Sequence, residues 1–150
     1  MKKLPDYTCT TPCVGLCSTV YGDVVCRGCK RFSHEIINWN RYDASAKAAV
    51  WQRLEQLLEQ VVAARIEVVS VLALHAALER LQVKVSMQSS LALKVLRLIP
   101  RLEEGGLAAS GLRLRSHCAE LTLKQLRDEL DSAYFELSCA YHERRVGAAG

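Results

Sequence analysis

Asp43-Ala44-Ser45-Ala46-Lys47-Ala48-Ala49-Val50-Trp51-Gln52-Arg53-Leu54-Glu55-Gln56-Leu57-Leu58-Glu59-Gln60-Val61-Val62 is the longest helical signal in the chain. Val50, Trp51, Leu54, Leu57, Leu58, Val61 and Val62 recur at steps of three and four, while Arg53, Glu55, Glu59 and Gln60 fall on the other face. That spacing lays one apolar stripe along a helix and leaves its opposite side polar. Asp43 or Ser45 is placed to cap its first turn. Beyond Ile66 the apolar band widens, which reads as the same helix buried on more than one side.

Downstream the pattern weakens over Gln82–Ser90, where Val83-Lys84-Val85 suggests an extended connection or a short strand. A further helix is expected from about Ser90 to Glu104, with Pro100 as an early kink or stop and Gly105-Gly106 as its end. Residues 107–121 stay ambiguous. Thr122-Leu123-Lys124-Gln125 is a capping box, and Leu126, Leu130, Ala133, Tyr134, Leu137 and Tyr141 follow it at helical spacing to about Arg145. The tail Val146–Gly150 reads as frayed.

Upstream the character changes. Of seven cysteines, Cys9, Cys13, Cys17, Cys26 and Cys29 lie before residue 30, and only Cys118 and Cys139 lie later. Ser18–Tyr21 and Val24–Cys26 flank Gly22-Asp23, which suggests a small hairpin with a type II′ turn. Ser33 is the expected cap of a short helix, with Glu35 in its first turn and Ile36, Ile37 and Trp39 facing inward. The organisation expected is a cysteine-rich metal knuckle with a short helix over residues 1–42, then a helical body over 43–150. The fold class is mainly α, with a bundle of about three to four helices after the knuckle.

Composition bounds the rest. The chain has 150 residues, half of them apolar, with 24% charged and a net charge of +4. That excludes a disordered chain and leaves enough apolar sequence for a core. Pro5 and Asp6 interrupt the lysine-rich start before any apolar run develops, so a secretory signal is not expected. Val61–Leu78 carries Arg65, Glu67 and His75 and is a core segment rather than a membrane span. A cytoplasmic protein is the expectation, with reduced cysteines that ligate metal or pack as thiols.

The spacing Cys13-x3-Cys17-x8-Cys26-x2-Cys29 places two close pairs on either side of a short connection. Four thiolates so arranged can converge on one metal ion, and chelation supplies what a segment this poor in core lacks. Cys9 is left open as an extra ligand. Four thiolates suit either zinc or an iron–sulfur cluster; two tight pairs with no open position favour Zn²⁺, with the cluster as the alternative.

Residues 1–42 carry a formal +3 and the remaining residues +1. A tetrathiolate around a divalent ion adds about −2, which weakens a nucleic-acid reading of Arg27, Lys30, Arg31 and Arg41. His34 is expected as an exposed first-turn residue, and His75 as a satisfied boundary histidine. His117 and Cys118 are adjacent and so do not by themselves make a base and nucleophile. Cys118 and Cys139 are expected to pack.

Thr11-Pro12-Cys13-Val14-Gly15-Leu16-Cys17, Cys26-Arg27-Gly28-Cys29-Lys30-Arg31, Glu35-Ile36 and Trp39 resemble the Domain of Unknown Function 1289 family, short bacterial proteins often labelled predicted iron–sulfur proteins. The stretch Leu123 to Arg145, with Phe135-Glu136-Leu137 and Ala140-Tyr141-His142-Glu143-Arg144, is similar to its longer pseudomonad-type members. The resemblance implies a four-cysteine centre at Cys13, Cys17, Cys26 and Cys29, with no counterpart for Cys9, and it implies no activity or substrate. The expectation is a metal-binding adaptor or regulatory module that is not an enzyme and binds another protein. An iron–sulfur redox or sensing protein is the alternative, and a nucleic-acid-binding zinc knuckle the weaker one.

Overall fold

A computed structural model describes residues 17–86 and 88–149. Its helices are α1 (Ser33–Asn38), α2 (Ala44–Ala63), α3 (Val71–Arg80), α4 (Leu91–Leu98), α5 (Gly106–Ala109) and α6 (Leu123–Ala149). Two short strands, β1 (Ile66–Val68) and β2 (Leu112–Leu114), pair antiparallel with Glu67 opposite Arg113. The protein is mainly α, as its periodicity implies. Among the described residues no helix is long and apolar enough to cross a membrane.

The chain divides into two compact units, residues 1–57 with 133–150 and residues 58–132, and α2 and α6 contribute residues to both. In the second unit the buried side chains include Leu58, Leu74, Leu98, Ile99, Leu126 and Leu130. Gly111, at the entry to β2, has φ +73°, and a Cβ there would sit 2.3 Å from the Ser70 carbonyl oxygen. The backbone approach at this corner therefore needs glycine.

Local capping follows the sequence closely. The Ala46 N–H donates to Asp43 Oδ1 at 2.8 Å, so Asp43 rather than Ser45 caps α2. At the start of α6, Gln125 N–H donates to Thr122 Oγ1 (3.1 Å) and Thr122 N–H to Gln125 Oε1 (2.9 Å), closing the capping box. α1 begins at Ser33 itself, one residue earlier than a Ser33 cap implies, and Glu35 closes back on the Phe32 N–H.

Four expectations are corrected. The long helix stops at Ala63, because Ile66, Val68 and Val69 prefer an extended backbone and Ser70 caps a new helix by accepting the Ala73 N–H. The helix from Ser90 ends at Leu98, with a 3-10 turn over Ile99–Arg101, because Pro100 lacks an N–H and its ring blocks the preceding turn. α6 continues to Ala149, past the end of the apolar periodicity. No type II′ hairpin forms at Gly22-Asp23: Ser18–Tyr21 is a 3-10 turn, and Gly22 (φ 98°, ψ 0°) ends it in the left-handed region. The chain pairs further on, through an antiparallel bridge between Val25 and Phe32.

Candidate metal centre

The Val25–Phe32 bridge brackets a tight turn that carries Cys26 and Cys29. Cys26 N–H donates to the Arg31 carbonyl (2.9 Å), Lys30 N–H to the Cys26 carbonyl (2.9 Å), and Ser33 N–H to the Val24 carbonyl (2.9 Å). Lys30 takes φ 65° to make the reversal, a conformation that is strained for a residue with a Cβ. Its side chain helps to hold it there. Lys30 Nζ donates to the carbonyl oxygens of Arg27 and, at 3.2 Å, of Gly28, and it faces the Tyr134 ring 5.4 Å from the centroid.

Both cysteines of this turn are buried. Burial works to raise the Cys26 thiol, yet the backbone N–H groups of Cys29, Ser18 and Gly28 and the Cys29 thiol outweigh it and hold its pKa at about 7. Burial pushes the Cys29 thiol up, against the hydrogen bond and charge of Arg31. Arg31 Nε donates to Cys29 Sγ at 3.3 Å, and its guanidinium carbon lies 4.8 Å from the Trp39 ring centroid.

Phe32, the residue that closes the bracket, is 2% exposed. The Arg53 guanidinium carbon sits 3.9 Å from its ring centroid, and the His142 ring meets it edge-on at 4.7 Å. Arg53 in turn grips Glu35 with both terminal nitrogens, at 2.5 and 2.6 Å, in a buried bidentate pair. Because Glu35 also accepts the Phe32 N–H (2.8 Å), one carboxylate ties the bracket to α2. From α6, the Tyr134 hydroxyl donates to the Leu54 carbonyl (3.0 Å), and Phe135 lies beneath Arg27 (4.6 Å).

Of the sequence-derived ligands, Cys26 and Cys29 are brought together. Cys13 and the extra cysteine, Cys9, lie outside the described residues. Cys17 Sγ lies 2.8 Å from Thr19 Oγ1, and among the described residues no group of three or more His, Cys, Asp or Glu forms a metal-holding cluster. Two adjacent buried sulfurs, N–H donors aimed at them and a buried guanidinium beside one of them suit a thiolate-bound metal.

Several neighbours were not legible as parts of this site. Lys30 and Arg31, which the sequence places in a basic surround, are 2% and 4% exposed. Arg53, assigned to the polar face of α2, is buried with Glu35, and Ile37, expected inward, is exposed instead. No local spacing links Glu35 to Arg53, so the sequence carried no signal for the pair. Of the other candidates, His34 is exposed and Cys118 buried, as expected, and Lys94 Nζ is 3.1 Å from His75 Nε2; His117 is exposed, and Cys139, expected to pack, is half-buried.

Residues 11–58 match the model of a family described as protein of unknown function (DUF1289). No curated protein and no solved structure matches the chain.

Proposed function

We propose that this chain, which belongs to the DUF1289 family through residues 11–58, is a cytoplasmic metal-binding module in which Cys13, Cys17, Cys26 and Cys29 hold one metal centre. The observation that carries the reading is the pair of buried sulfurs at Cys26 and Cys29, one held near neutrality by N–H donors and the other beside a buried arginine. Zinc is the metal favoured, because two closed pairs leave no open coordination position for chemistry. When bound, zinc would cross-link the two cysteine pairs and stabilise a segment that has few apolar side chains of its own.

The module acts as an adaptor or regulator of another protein rather than as an enzyme. Val20, Val24 and Ile37 are exposed in the cysteine-rich unit and supply apolar surface for such a role. Lys30 and Arg31 are buried, so of the four basic residues around the turn only Arg27 and Arg41 stand at the surface. That count favours a protein partner over nucleic acid, whose binding needs several phosphate contacts.

Anaerobic purification with metal analysis and a visible spectrum tests the reading. A colourless protein with about one zinc per chain is expected on the closed four-thiolate rule. A brown protein that bleaches reversibly on reduction would replace zinc with an iron–sulfur cluster, and a metal-free protein would overturn the proposal. Cys13→Ser, Cys17→Ser, Cys26→Ser and Cys29→Ser should each lose the metal, and Cys9→Ser should keep it.

A further inference from the structure

Arg31 is not explained by the packing of the cysteine-rich unit alone. It is 4% exposed, it lies against the face of Trp39, and its Nε points at Cys29 Sγ from 3.3 Å. A guanidinium stays charged at any pH the fold meets, and taking it out of water is costly unless an opposite charge lies close. The Trp39 ring returns part of that cost through its negative face. A neutral thiol returns little, because it is a weak acceptor, whereas a metal-bound thiolate accepts a charge-assisted hydrogen bond about twice as strong as a neutral one.

The turn itself fixes this geometry. Arg31 is two residues beyond Cys29, and its carbonyl accepts the Cys26 N–H, so the residue that closes the knuckle's backbone also presents its side chain to the second sulfur. We propose that Arg31 is a positioning residue of the metal centre, its Nε–H holding the Cys29 sulfur in its ligating orientation while its charge offsets part of the centre's negative charge. This rests on the metal-binding reading above. In metal sites generally, losing such an outer partner weakens metal binding about 10–100-fold.

The test uses the full chain loaded with a spin-half cadmium isotope as the zinc probe. A scalar coupling carried from the Arg31 Nε proton through the Cys29 sulfur to cadmium is expected, and a role limited to packing would produce none. Chelator competition then compares variants. Arg31→Gln should lose about 10–100-fold in cadmium affinity, Arg31→Lys should recover part of that loss, and the exposed Arg41→Gln should match the unsubstituted chain. The coupling is read on the unsubstituted chain, so it decides even where Arg31→Gln fails to fold. Cadmium bound with no coupling, or with unchanged affinity in a folded Arg31→Gln, overturns the inference and leaves the metal reading standing. No cadmium bound by the unsubstituted chain overturns the metal reading itself.

Discussion

The two units of this protein bury different chemistry. Residues 58–132 bury Leu58, Val61, Leu74, Leu98, Ile99, Leu126 and Leu130, with Ser89, Lys94 and Ser110 as the polar exceptions. The unit of residues 1–57 and 133–150 encloses Trp39, Val50 and Leu54 together with Lys30, Arg31, Glu35 and Arg53. An apolar core tolerates small errors of placement, because burial is non-directional. A core containing four ionised side chains does not, because each charge needs its own partner at hydrogen-bonding distance. The cysteine-rich unit is thus specified by pairings, and the helical unit by area.

The largest expected effect sits in the pairings. Glu35→Gln or Arg53→Met leaves one buried charge uncompensated and should cost about 3–5 kcal/mol in denaturant unfolding. The double substitution Glu35→Gln/Arg53→Met should lose less than the two single costs added together, since it removes both charges. Additive losses would mean that the pair contributes as shape and not as charge, which would erase the contrast between the units.

In the other unit the corresponding change is a cavity. Leu130→Ala should cost about 2–5 kcal/mol, and that loss should be insensitive to salt. A strong salt dependence of this variant would show that electrostatics reach into the apolar unit as well.

The smallest effect concerns Tyr134, whose hydroxyl donates to the Leu54 carbonyl. Burial raises its pKa well above the usual tyrosine value of 10.0. A raised folded-state pKa gives stability that is whole below the unfolded value and is lost as pH rises toward the folded one. Unfolding experiments should therefore show stability falling above about pH 10. Tyr134→Phe should cost about 1 kcal/mol at neutral pH and remove that alkaline loss. An unchanged alkaline limb in Tyr134→Phe would assign it to other groups.

What was legible in the sequence is what acts over one helical turn. The Thr122–Gln125 box, the start of α2 at Asp43 or Ser45 and the Val50–Val62 stripe each depend on residues no more than four positions apart along the chain. The break after Ala63 could have been found as well, since Ile66, Val68 and Val69 precede a capping Ser70. At the candidate site, the sequence offered the cysteine spacing but not its surroundings. Nothing local marks Arg53 as buried, because its partner Glu35 is 18 residues away.

The sequence by itself determined a mainly helical protein with five of its seven cysteines in the first 29 residues, because apolar periodicity and cysteine spacing are properties of the chain. Tertiary structure alone decided that Lys30, Arg31 and Arg53 are interior and not surface cations, and that α6 returns Tyr134 and His142 to the knuckle. The physical reason is that a charge can be buried only where distant segments bring its partners to it, and spacing along the chain does not encode where those segments meet.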